Sequence, residues 1–414
     1  MKIIFAPDSF KKSLSAVEVA EILKKKAVEF FPDCEIQMIP LTDGGDGLVD
    51  ILISLLKGER GETMARDCLG EAVSVQYGVI YGDTMVIEAS KLLSDKEESS
   101  QLARQKIMFS SSYGVGEMIQ HGLDKGYRKF YIGAGESVVN DGGMGCAQAL
   151  GVCFYDKDDQ ELDASGINLQ SIVEIDDSGL DSRIWESEIT IMCSVNNTLT
   201  GYKGVTYVYG AQNGATPEEL ICLERGMRNY AEIIEYRKGI SICDVTGTGA
   251  CGGLPAALYA FCGAKLTSGI STALKLLRFE ELVESASLVI VGEAMIDQTT
   301  VYGKAITGIG MLCKAKGIPV IAITESMGRG AEQLYHYGVD SIMTSVNACM
   351  DEDYVIENAE ELLMRAAERM FRLLVSGMQM QDKENCLAKS RGYVFKKEKE
   401  EYHTHWAVDS DFEE

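Results

Sequence analysis

Several features that mark common classes of protein are missing from this chain of 414 residues. No apolar run reaches the roughly 18 residues that a membrane-spanning helix requires. The apolar stretch that follows Met1 is too short, and wrongly flanked, for a secretory signal peptide. Proline occurs only 6 times and aromatic residues make up 8% of the chain, which argues against a disordered or all-β protein. We therefore predict a cytoplasmic globular protein without a membrane partner.

Metal-binding and disulfide patterns are missing as well. The 12 cysteines are spread from Cys34 to Cys386, and none of them forms a Cys-x-x-Cys pair. Because the chain also has only 4 histidines, a zinc site is not expected. The pattern predicts a reduced protein whose thiols are free and in many cases buried.

Positive charge is scarce relative to negative charge. The chain has 39 lysines and arginines against 63 aspartates and glutamates, which gives a formal net charge of -24. Such a charge repels nucleic acids and anionic membranes, so neither is expected as a partner. An anionic substrate would have to be bound by local basic residues or by helix N-termini.

Strands and helices alternate at both ends of the chain. Near the amino terminus, KIIFAP predicts a buried strand, and Ser15 with Glu18 forms a capping box that opens the first helix. Near the carboxyl terminus, apolar strands alternate with helices, and a last helix is predicted near residues 357–377. This alternation predicts an α/β fold, in which both chain ends build a doubly wound parallel sheet and a second α/β domain is inserted between them.

The middle of the chain has a different pattern of apolar and polar residues. Residues 61–90 alternate over short segments, as antiparallel strands do, and residues 113–155 return to alternating helices and strands. The length of the chain agrees with two or three domains. The predicted limits are 1–60 plus 286–378 for the doubly wound domain, 61–285 for the inserted domain and 379–414 for a charged tail.

Acidic loops follow three of the predicted strands. Residues 8–11 follow the first strand, residues 42–47 follow the second, and residues 292–297 follow the strand LVIV. Because the carboxyl ends of parallel strands meet at one edge of a sheet, we expect these loops to converge there. A single aspartate after a strand is usually a cap or a turn residue, whereas several acids around one or two lysines indicate a functional site. The predicted rim consists of Asp8, Asp43, Asp46, Glu293 and Asp297, with Lys11 and Lys304.

Two glycine-rich loops are the other candidates for ligand binding. The first, GAGESVVNDGGMG, surrounds Asn140 and Asp141, and glycine lets the backbone of such a loop approach a ligand closely. The second contains Gly247, Gly249 and Gly252 in the order G-x-G-x-x-G. The acidic residue expected about 20 positions later in a dinucleotide site is missing, which disfavours such a site. The second loop either approaches a phosphate or packs closely against a helix.

Other catalytic signatures are missing. The sequence has no G-x-x-x-x-G-K-[ST] loop, no protein-kinase signature and no G-x-S-x-G turn, and its few histidines do not favour a Ser-His-Asp triad. Phosphoryl transfer from a nucleotide to a small hydroxyl compound agrees best with the loops that are present. That chemistry uses carboxylates that hold Mg²⁺, backbone N–H groups on the phosphates, a lysine on the developing charge and an aspartate at the acceptor hydroxyl.

Five segments carry a resemblance to a known family: APDSFKKSLSA, TDGGDG, SSYGVGEMI, NDGGMG and GEAMIDQTTVYGKA. With these segments in this order over most of the chain, the sequence resembles the bacterial glycerate kinase family, of the type that usually makes 2-phosphoglycerate. The resemblance implies ATP-dependent phosphorylation of D-glycerate, Mg²⁺ as a cofactor, and a Rossmann-like domain that carries an inserted α/β domain. Its partners would be a small hydroxy acid and a nucleotide, and a homodimer is left open.

Carried over by position, the resemblance assigns roles to the matching residues. Asp297, Asp43 and Lys11 are expected to be catalytic: Asp297 or Asp43 would orient the glycerate hydroxyl, and Lys11 would bind the carboxylate or the transferring phosphoryl group. The residues expected to bind substrate are Asp8, Ser9, Asp46, Asn140, Asp141, Glu293 and Lys304. The glycines expected to approach the nucleotide are Gly142, Gly143, Gly249 and Gly252. No ligands of a metal ion are assigned.

Four departures from the family pattern fall inside these motifs. Lys12 and Glu136 stand where the family usually has glycine, Asn213 replaces a lysine and Met295 replaces an arginine. Each change removes backbone freedom or a positive charge near an expected anion, and the loss of one charge contact to a transferring phosphoryl group costs several powers of ten in rate. The alternatives are a kinase of altered specificity or weak activity, and a silent relative that binds a small hydroxy acid or a nucleotide. A flavodoxin-like redox protein is a third alternative.

Overall fold

The computed structural model describes residues 1–94, 107–298, 300 and 305–394 of the chain. The strands, in chain order, are β1 Lys2–Pro7, β2 Glu35–Met38, β3 Glu59–Arg66, β4 Ala72–Ile80, β5 Thr84–Glu88, β6 Lys129–Ala134, β7 Cys153–Tyr155, β8 Glu174–Asp176, β9 Glu188–Cys193, β10 Lys265–Ser268, β11 Leu288–Ile296, β12 Val320–Met327 and β13 Ser341–Thr344. The α-helices named below are α1 Ala16–Phe30, α2 Leu48–Leu56, α3 Ser90–Leu93, α4 Tyr113–Asp124, α5 Met144–Ala149, α6 Val205–Tyr209, α7 Pro217–Lys238, α8 Leu254–Cys262, α9 Gly269–Leu276, α10 Phe279–Leu282, α11 Ala305–Lys316, α12 Glu352–Glu357 and α13 Ala359–Val394.

Both ends of the chain build one parallel sheet of five strands, in the order β13-β12-β11-β1-β2. Successive residues of a strand face opposite sides of the sheet. In β1, Ile3 and Phe5 therefore pack with α1 and α13, whereas Ile4 and Ala6 pack with α2, α9 and α11. The predicted doubly wound sheet from both chain ends is confirmed.

The middle of the chain builds a second sheet of six strands, in the order β10-β9-β6-β5-β4-β3. β3, β4 and β5 are antiparallel, as the short alternating segments predicted, and β5, β6, β9 and β10 are parallel. One face of this sheet packs with α4, α5, α7 and α8 around a large apolar core. β7 and β8 form a separate antiparallel pair. The predicted inserted α/β unit is confirmed.

A layer made of α2 and α9 lies between the two sheets. Val86 and Met192, on the other face of the second sheet, belong to the same apolar cluster as Leu48 of α2 and Ile270 of α9. Ile4 of the first sheet belongs to this cluster too. The layer thus packs against both sheets and fixes how their edges meet. The predicted domain limits stay a prediction.

The helix α13 is longer than the sequence predicted. Phe371 packs against α1, with its ring centroid 6.0 Å from that of Phe30. The helix continues to Val394 instead of ending near residue 377. No proline interrupts this stretch, and elongation of an existing helix adds one hydrogen bond for each residue fixed. Residues 395–414 of the predicted tail lie outside the described residues.

Across the described segments, every helix is too short or too polar to pass through a lipid bilayer.

Candidate active site

A cleft of about 780 Å³ lies where the carboxyl edges of the two sheets meet. The first sheet contributes Asp8 after β1, Asp43 after β2 and Glu293 from β11. The second sheet contributes residues 194–198, which follow β9. Lys304, predicted to lie on this rim, is outside the described residues.

Asp8 is a buried carboxyl among other acids. Its backbone N–H donates to the carbonyl oxygen of Gly292 at 3.0 Å, and its carboxylate accepts a hydrogen bond from the backbone N–H of Ser9 at 2.6 Å. Burial, followed by the negative charges of Asp43 and Glu293, raises the pKa of Asp8 to about 8. A carboxyl group with a pKa near neutrality can accept a proton from a substrate and release it again.

Lys11 lies beside these acids, on the same loop as Asp8. Its φ of 46° falls in the left-handed region, which residues other than glycine rarely adopt. Burial alone would lower the pKa of the Lys11 ammonium group. The charges of Asp43, Asp8 and Glu293, with a smaller contribution from Glu136, instead hold that pKa above its usual range. Lys11 is thus a permanent cation on a strained backbone, and such strain is concentrated at functional sites.

The loop of residues 42–47 packs closely against the second sheet. Asp43 closes a turn in it by accepting a hydrogen bond from the backbone N–H of Gly45 at 2.9 Å. Gly44 has a φ of 97°, and a Cβ atom there would lie 2.5 Å from the carbonyl oxygen of Met192 in β9. Only glycine allows this conformation and this approach. The glycines therefore bring the loop, and Asp43 with it, to the edge of the second sheet.

Asp46 and Glu88 fasten the same loop. Asp46 accepts a hydrogen bond from the Ser90 hydroxyl at 2.8 Å. Glu88, the last residue of β5, accepts from the backbone N–H groups of Gly47 at 3.1 Å and Val49 at 3.2 Å, at the start of α2. Burial raises the pKa of the Glu88 carboxyl. The sequence analysis missed Glu88, whose signal was an acid at the end of an apolar strand.

Glu293 belongs to a strand and not, as predicted, to the loop after it. β11 remains paired with β12 as far as Ile296, which lies opposite Met327. This pairing extends the strand beyond the end of its apolar run. Asp297 follows the strand, and its backbone N–H donates to Thr300 Oγ1 at 3.0 Å. Glu293 lines the cleft, whereas Asp297 is not among the residues that line it.

Asn140 and Asp141 are buried and hydrogen-bonded within the protein. The Asn140 amide donates to Thr206 Oγ1 at 3.2 Å. The Asp141 carboxylate accepts from the backbone N–H and the hydroxyl of Ser112 at 2.7 and 2.9 Å. It also accepts from two backbone N–H groups at the start of α5, at 2.9 and 3.1 Å. This arrangement gives Asp141 a structural function, joining α4 to α5, and does not bring it to the cleft.

A second cavity of about 260 Å³ adjoins the cleft. Ser194, Val195 and Tyr209 line both spaces, so the two are neighbours. The other walls of the second cavity combine apolar and polar side chains, among them Val138, Val139, Val205, Ser137, Asn140 and Gln212. Such a mixture suits an organic ligand that has a few polar groups.

The four glycines predicted to approach a nucleotide pack against other parts of the protein. A Cβ atom added at Gly142, Gly143, Gly249 or Gly252 would lie between 2.1 and 2.8 Å from another protein atom. Of the four, Gly252 lines the second cavity, next to Cys251, whose φ is 48°. Close packing therefore accounts for the G-x-G-x-x-G pattern, and nucleotide binding by these glycines stays a prediction.

Asn197 organises the wall of the cleft that the second sheet contributes. Its side-chain amide donates to the carbonyl oxygen of Lys203 at 2.8 Å, and its side-chain oxygen accepts from the Tyr209 hydroxyl at 2.9 Å. Its carbonyl oxygen accepts from the backbone N–H groups of Gly247 at 3.1 Å and Gly249 at 3.0 Å. Asn197, Lys203 and Tyr209 line the cleft, and the sequence analysis named none of them. The polar run NNT, which begins three residues after the end of an apolar strand, was the available signal.

Comparison with known proteins identifies the family. A family model described as the glycerate kinase family matches residues 3–375. The chain belongs to the glycerate kinase family. The glycerate kinase of Halalkalibacterium halodurans is 36% identical over 368 residues, which cover 89% of this chain and 97% of that protein. Family membership sets aside the flavodoxin-like alternative.

Two further members of the glycerate kinase family extend the comparison. Glycerate 2-kinase of Escherichia coli is 34% identical over 378 residues, covering 91% of this chain and 99% of that protein. A crystal structure from Salmonella typhimurium LT2, of a protein provisionally named glycerate kinase 2, superposes with a TM-score of 0.76 at 36% identity. It covers 92% of this chain and 99% of the Salmonella chain, so the fold extends over nearly the whole molecule.

In this member of the glycerate kinase family, two of the four departures from the family pattern, Lys12 and Asn213, have partners elsewhere in the protein. Lys12 forms an ion pair with Glu352 at 3.0 Å, between two exposed side chains. The Asn213 amide donates to the carbonyl oxygen of Ser137 at 2.9 Å, at the second cavity. Met295 lies half-exposed near the end of β11. These substitutions leave the acids and the lysine of the cleft in place.

Proposed function

We propose that this glycerate kinase family member transfers the terminal phosphoryl group of ATP to a hydroxyl group of D-glycerate. The observation that carries the proposal is a lysine among three carboxylates at the carboxyl edge of a doubly wound sheet, where such folds bind their ligands. These residues are Lys11, Asp8, Asp43 and Glu293. The names of the curated relatives support glycerate as the acceptor. A base and a cation placed together are what phosphoryl transfer to a hydroxyl requires.

The two neighbouring spaces suit the two substrates. We assign glycerate to the cleft, near Lys11, and the nucleoside of ATP to the second cavity. The apolar side chains of Val138 and Val205 would contact the base, and the Gln212 amide could bind its polar edge. Tyr209 lines both spaces, so the phosphates would run past it towards the cleft.

Asp8 is the residue that the geometry favours as the base. As the glycerate hydroxyl oxygen bonds to the terminal phosphorus, its proton passes to Asp8, and the bond from that phosphorus to the bridging oxygen breaks to release ADP. The pKa of about 8 supports this role, because the ionised form is then a strong base near neutral pH. Asp43 would orient the hydroxyl, and Lys11 would contact the transferring phosphoryl oxygens. The expected catalytic role of Asp297 stays a prediction.

Mg²⁺ is expected to accompany ATP. The carboxylates of Asp43 and Glu293 are the kind of oxygen ligand that this ion prefers. Within the described part of the chain, no group of three or more His, Cys, Asp and Glu side chains is arranged to hold a metal ion by itself. Asp43 and Glu293 would therefore hold Mg²⁺ together with phosphate oxygens, as is usual for this ion. The bound ion would neutralise phosphate charge.

We propose 2-phosphoglycerate as the product, for which the name of the Escherichia coli relative gives support. The test is to incubate the purified protein with ATP, Mg²⁺ and D-glycerate, to follow ADP release, and to assign the phosphorylated carbon by phosphorus NMR. We expect ADP and a secondary phosphate ester in equal amounts. A primary ester would show that the product is not 2-phosphoglycerate. The variant Asp8→Asn is the control for contaminating kinases.

The same experiment tests the silent alternative. If ADP release stays at background with D-glycerate, tartronate and glycolate while these ligands raise the melting temperature, the protein binds small acids without phosphorylating them. That outcome would overturn the proposed function.

A further inference from the structure

Lys203 is a cation on the wall of the cleft that no part of the proposed reaction has yet used. It is exposed, it lines the cleft, and it has no ion-pair partner among the residues described. We propose that its ammonium group binds the phosphate oxygens of the nucleotide. This inference rests on the proposed function, because it assumes that ATP is the phosphoryl donor.

Among the described residues that line the cleft, the distribution of charge favours Lys203 for this task. Lys11 is assigned to the transferring phosphoryl group, and the neighbouring acids that raise the pKa of its ammonium group already offset its charge. The cleft side of the first sheet is therefore negative, and it would repel a triphosphate that met no other cation. Lys203 comes from the second sheet's wall, where the cleft-lining neighbours Asn196, Asn197 and Thr198 are uncharged. An exposed ammonium group without an ion-pair partner among the described residues is free to bind an anion.

The position of Lys203 is fixed by the backbone around it. The Asn197 amide holds its carbonyl oxygen at 2.8 Å. The next residue, Gly204, donates its N–H to the carbonyl oxygen of Gly201 at 2.8 Å, which closes a tight turn immediately before α6. Only the side chain of Lys203 is left to move, so binding a ligand would order little else. Asn197 is a positioning residue for Lys203.

The path of the nucleotide explains why phosphate, and not the glycerate carboxylate, is the expected ligand. The Asn197 side chain that holds Lys203 also accepts the hydrogen bond of Tyr209, which lines both the cleft and the second cavity. Lys203 is thus linked through Asn197 to Tyr209, which lies between the two spaces. A nucleotide with its base in the second cavity would carry its phosphates through this passage.

The experiment measures binding by calorimetry, without turnover. The probes are a non-hydrolysable ATP analogue with Mg²⁺, and adenosine, which has no phosphates. The variants are Lys203→Ala, Lys203→Arg and Lys125→Ala. Lys125 is the matched control, because it is also exposed and also lacks an ion-pair partner in the described chain. It precedes β6 and therefore lies at the end of the second sheet opposite the carboxyl edge that lines the cleft.

We expect Lys203→Ala to weaken binding of the ATP analogue by about 10- to 50-fold, as the loss of one charge-assisted contact should. Adenosine affinity should not change, Lys203→Arg should recover most of the affinity, and Lys125→Ala should bind as the wild type does. In steady-state assays the KM for ATP should rise in Lys203→Ala, and the KM for D-glycerate should stay constant.

Four results would overturn the inference. Unchanged affinity of Lys203→Ala for the ATP analogue removes the proposed contact. An equal loss of adenosine affinity would mean that Lys203 acts through the nucleoside or the fold and not through the phosphates. A rise in the KM for D-glycerate alone would assign Lys203 to the acceptor carboxylate. If the wild type itself fails to bind the ATP analogue, the proposed function falls as well, which separates the two failures.

Discussion

Asp8 and Asp43 follow neighbouring parallel strands, β1 and β2, and lie so close that the charge of Asp43 is second only to burial in raising the pKa of Asp8. Two carboxylates are placed together although each disfavours ionisation of the other. Among the identified causes, the one positive charge that lowers the pKa of Asp8 is that of Lys11, on the same loop. Such an arrangement lowers the stability of the fold, and it is retained where a site needs a base or a binder of cations.

The first prediction concerns the pH dependence of stability in Asp8→Asn. Asp8 has an ordinary pKa of 3.8 and a folded-state pKa of about 8. Between these two values the folded protein keeps a proton that the unfolded chain has released. The free energy of unfolding therefore falls as the pH rises through this range, by at most about 1.4 kcal/mol per pH unit from this group. Asp8→Asn should lose that part of the slope, measured by urea unfolding at several pH values.

The same variant separates stability from activity. At the alkaline end of the range, Asp8→Asn should be as stable as the wild type or more stable by about 0.5 to 2 kcal/mol, because a buried acid that lies beside other acids has been removed. Its kcat should fall by about 100- to 10,000-fold, the usual worth of a general base. A variant that keeps wild-type kcat would show that another group accepts the proton.

The second prediction compares Lys11→Gly with Lys11→Ala. Both variants remove the ammonium group, so both should lose about 1,000-fold or more in kcat/KM. They differ in the backbone, because alanine must still adopt the φ of 46° and glycine does so without strain. Lys11→Gly should be about 1 kcal/mol more stable than Lys11→Ala. Equal stability of the two variants would mean that the left-handed backbone relaxes without cost.

Local patterns in the sequence predicted most of the fold. The capping box of Ser15 and Glu18 forms as predicted, because it depends on residues within one turn of helix. The convergence of the acidic loops followed from topology alone, since parallel strands end at a common edge. The extent of β11 could not be predicted in this way. Glu293 lies in that strand because of pairing with β12, a contact between distant segments.

The site was less accessible to sequence analysis, for the same reason. Asp43, Asp46 and Asp141 all stand among glycines, yet only Asp43 of the three lines the cleft. Asp46 is bonded to Ser90, and Asp141 joins two helices. Glu88 acts through partners 41 and 39 residues away, and the side chain of Asn197 through partners 6 and 12 residues away. Nothing within a few residues of an aspartate reveals which way its carboxylate is bonded in the folded protein.

The third prediction tests this division between Asp141 and Asp43. The Asp141 carboxylate accepts four hydrogen bonds inside the protein, and an amide in its place cannot accept them all. Asp141→Asn should therefore lose about 2 to 4 kcal/mol of unfolding free energy. Asp43→Asn gives the contrasting case, with stability within about 1 kcal/mol of the wild type and kcat strongly reduced. If Asp141→Asn is stable but inactive, Asp141 takes part in the reaction after all.

The fourth prediction asks whether the approach of residues 42–47 to the second sheet holds the site together. Gly44 and Gly70 have similar backbone angles, with φ of 97° and 89°. A Cβ atom at Gly70 would meet no other atom within 4 Å, whereas one at Gly44 would lie 2.5 Å from Met192 O. Gly70→Ala should lose about 1 kcal/mol from backbone strain alone, and Gly44→Ala about 1 to 3 kcal/mol more from the clash.

The kinetic consequence separates a local clash from a general loss of stability. In Gly44→Ala the loop must withdraw from β9, and Asp43 moves with it because its carboxylate is bonded within the same turn. The value of kcat should then fall at temperatures where the variant is still fully folded, whereas Gly70→Ala should keep wild-type kinetics. If both alanine variants lose stability equally and keep kcat, the close packing of residues 42–47 against the second sheet is not what places Asp43 beside Asp8.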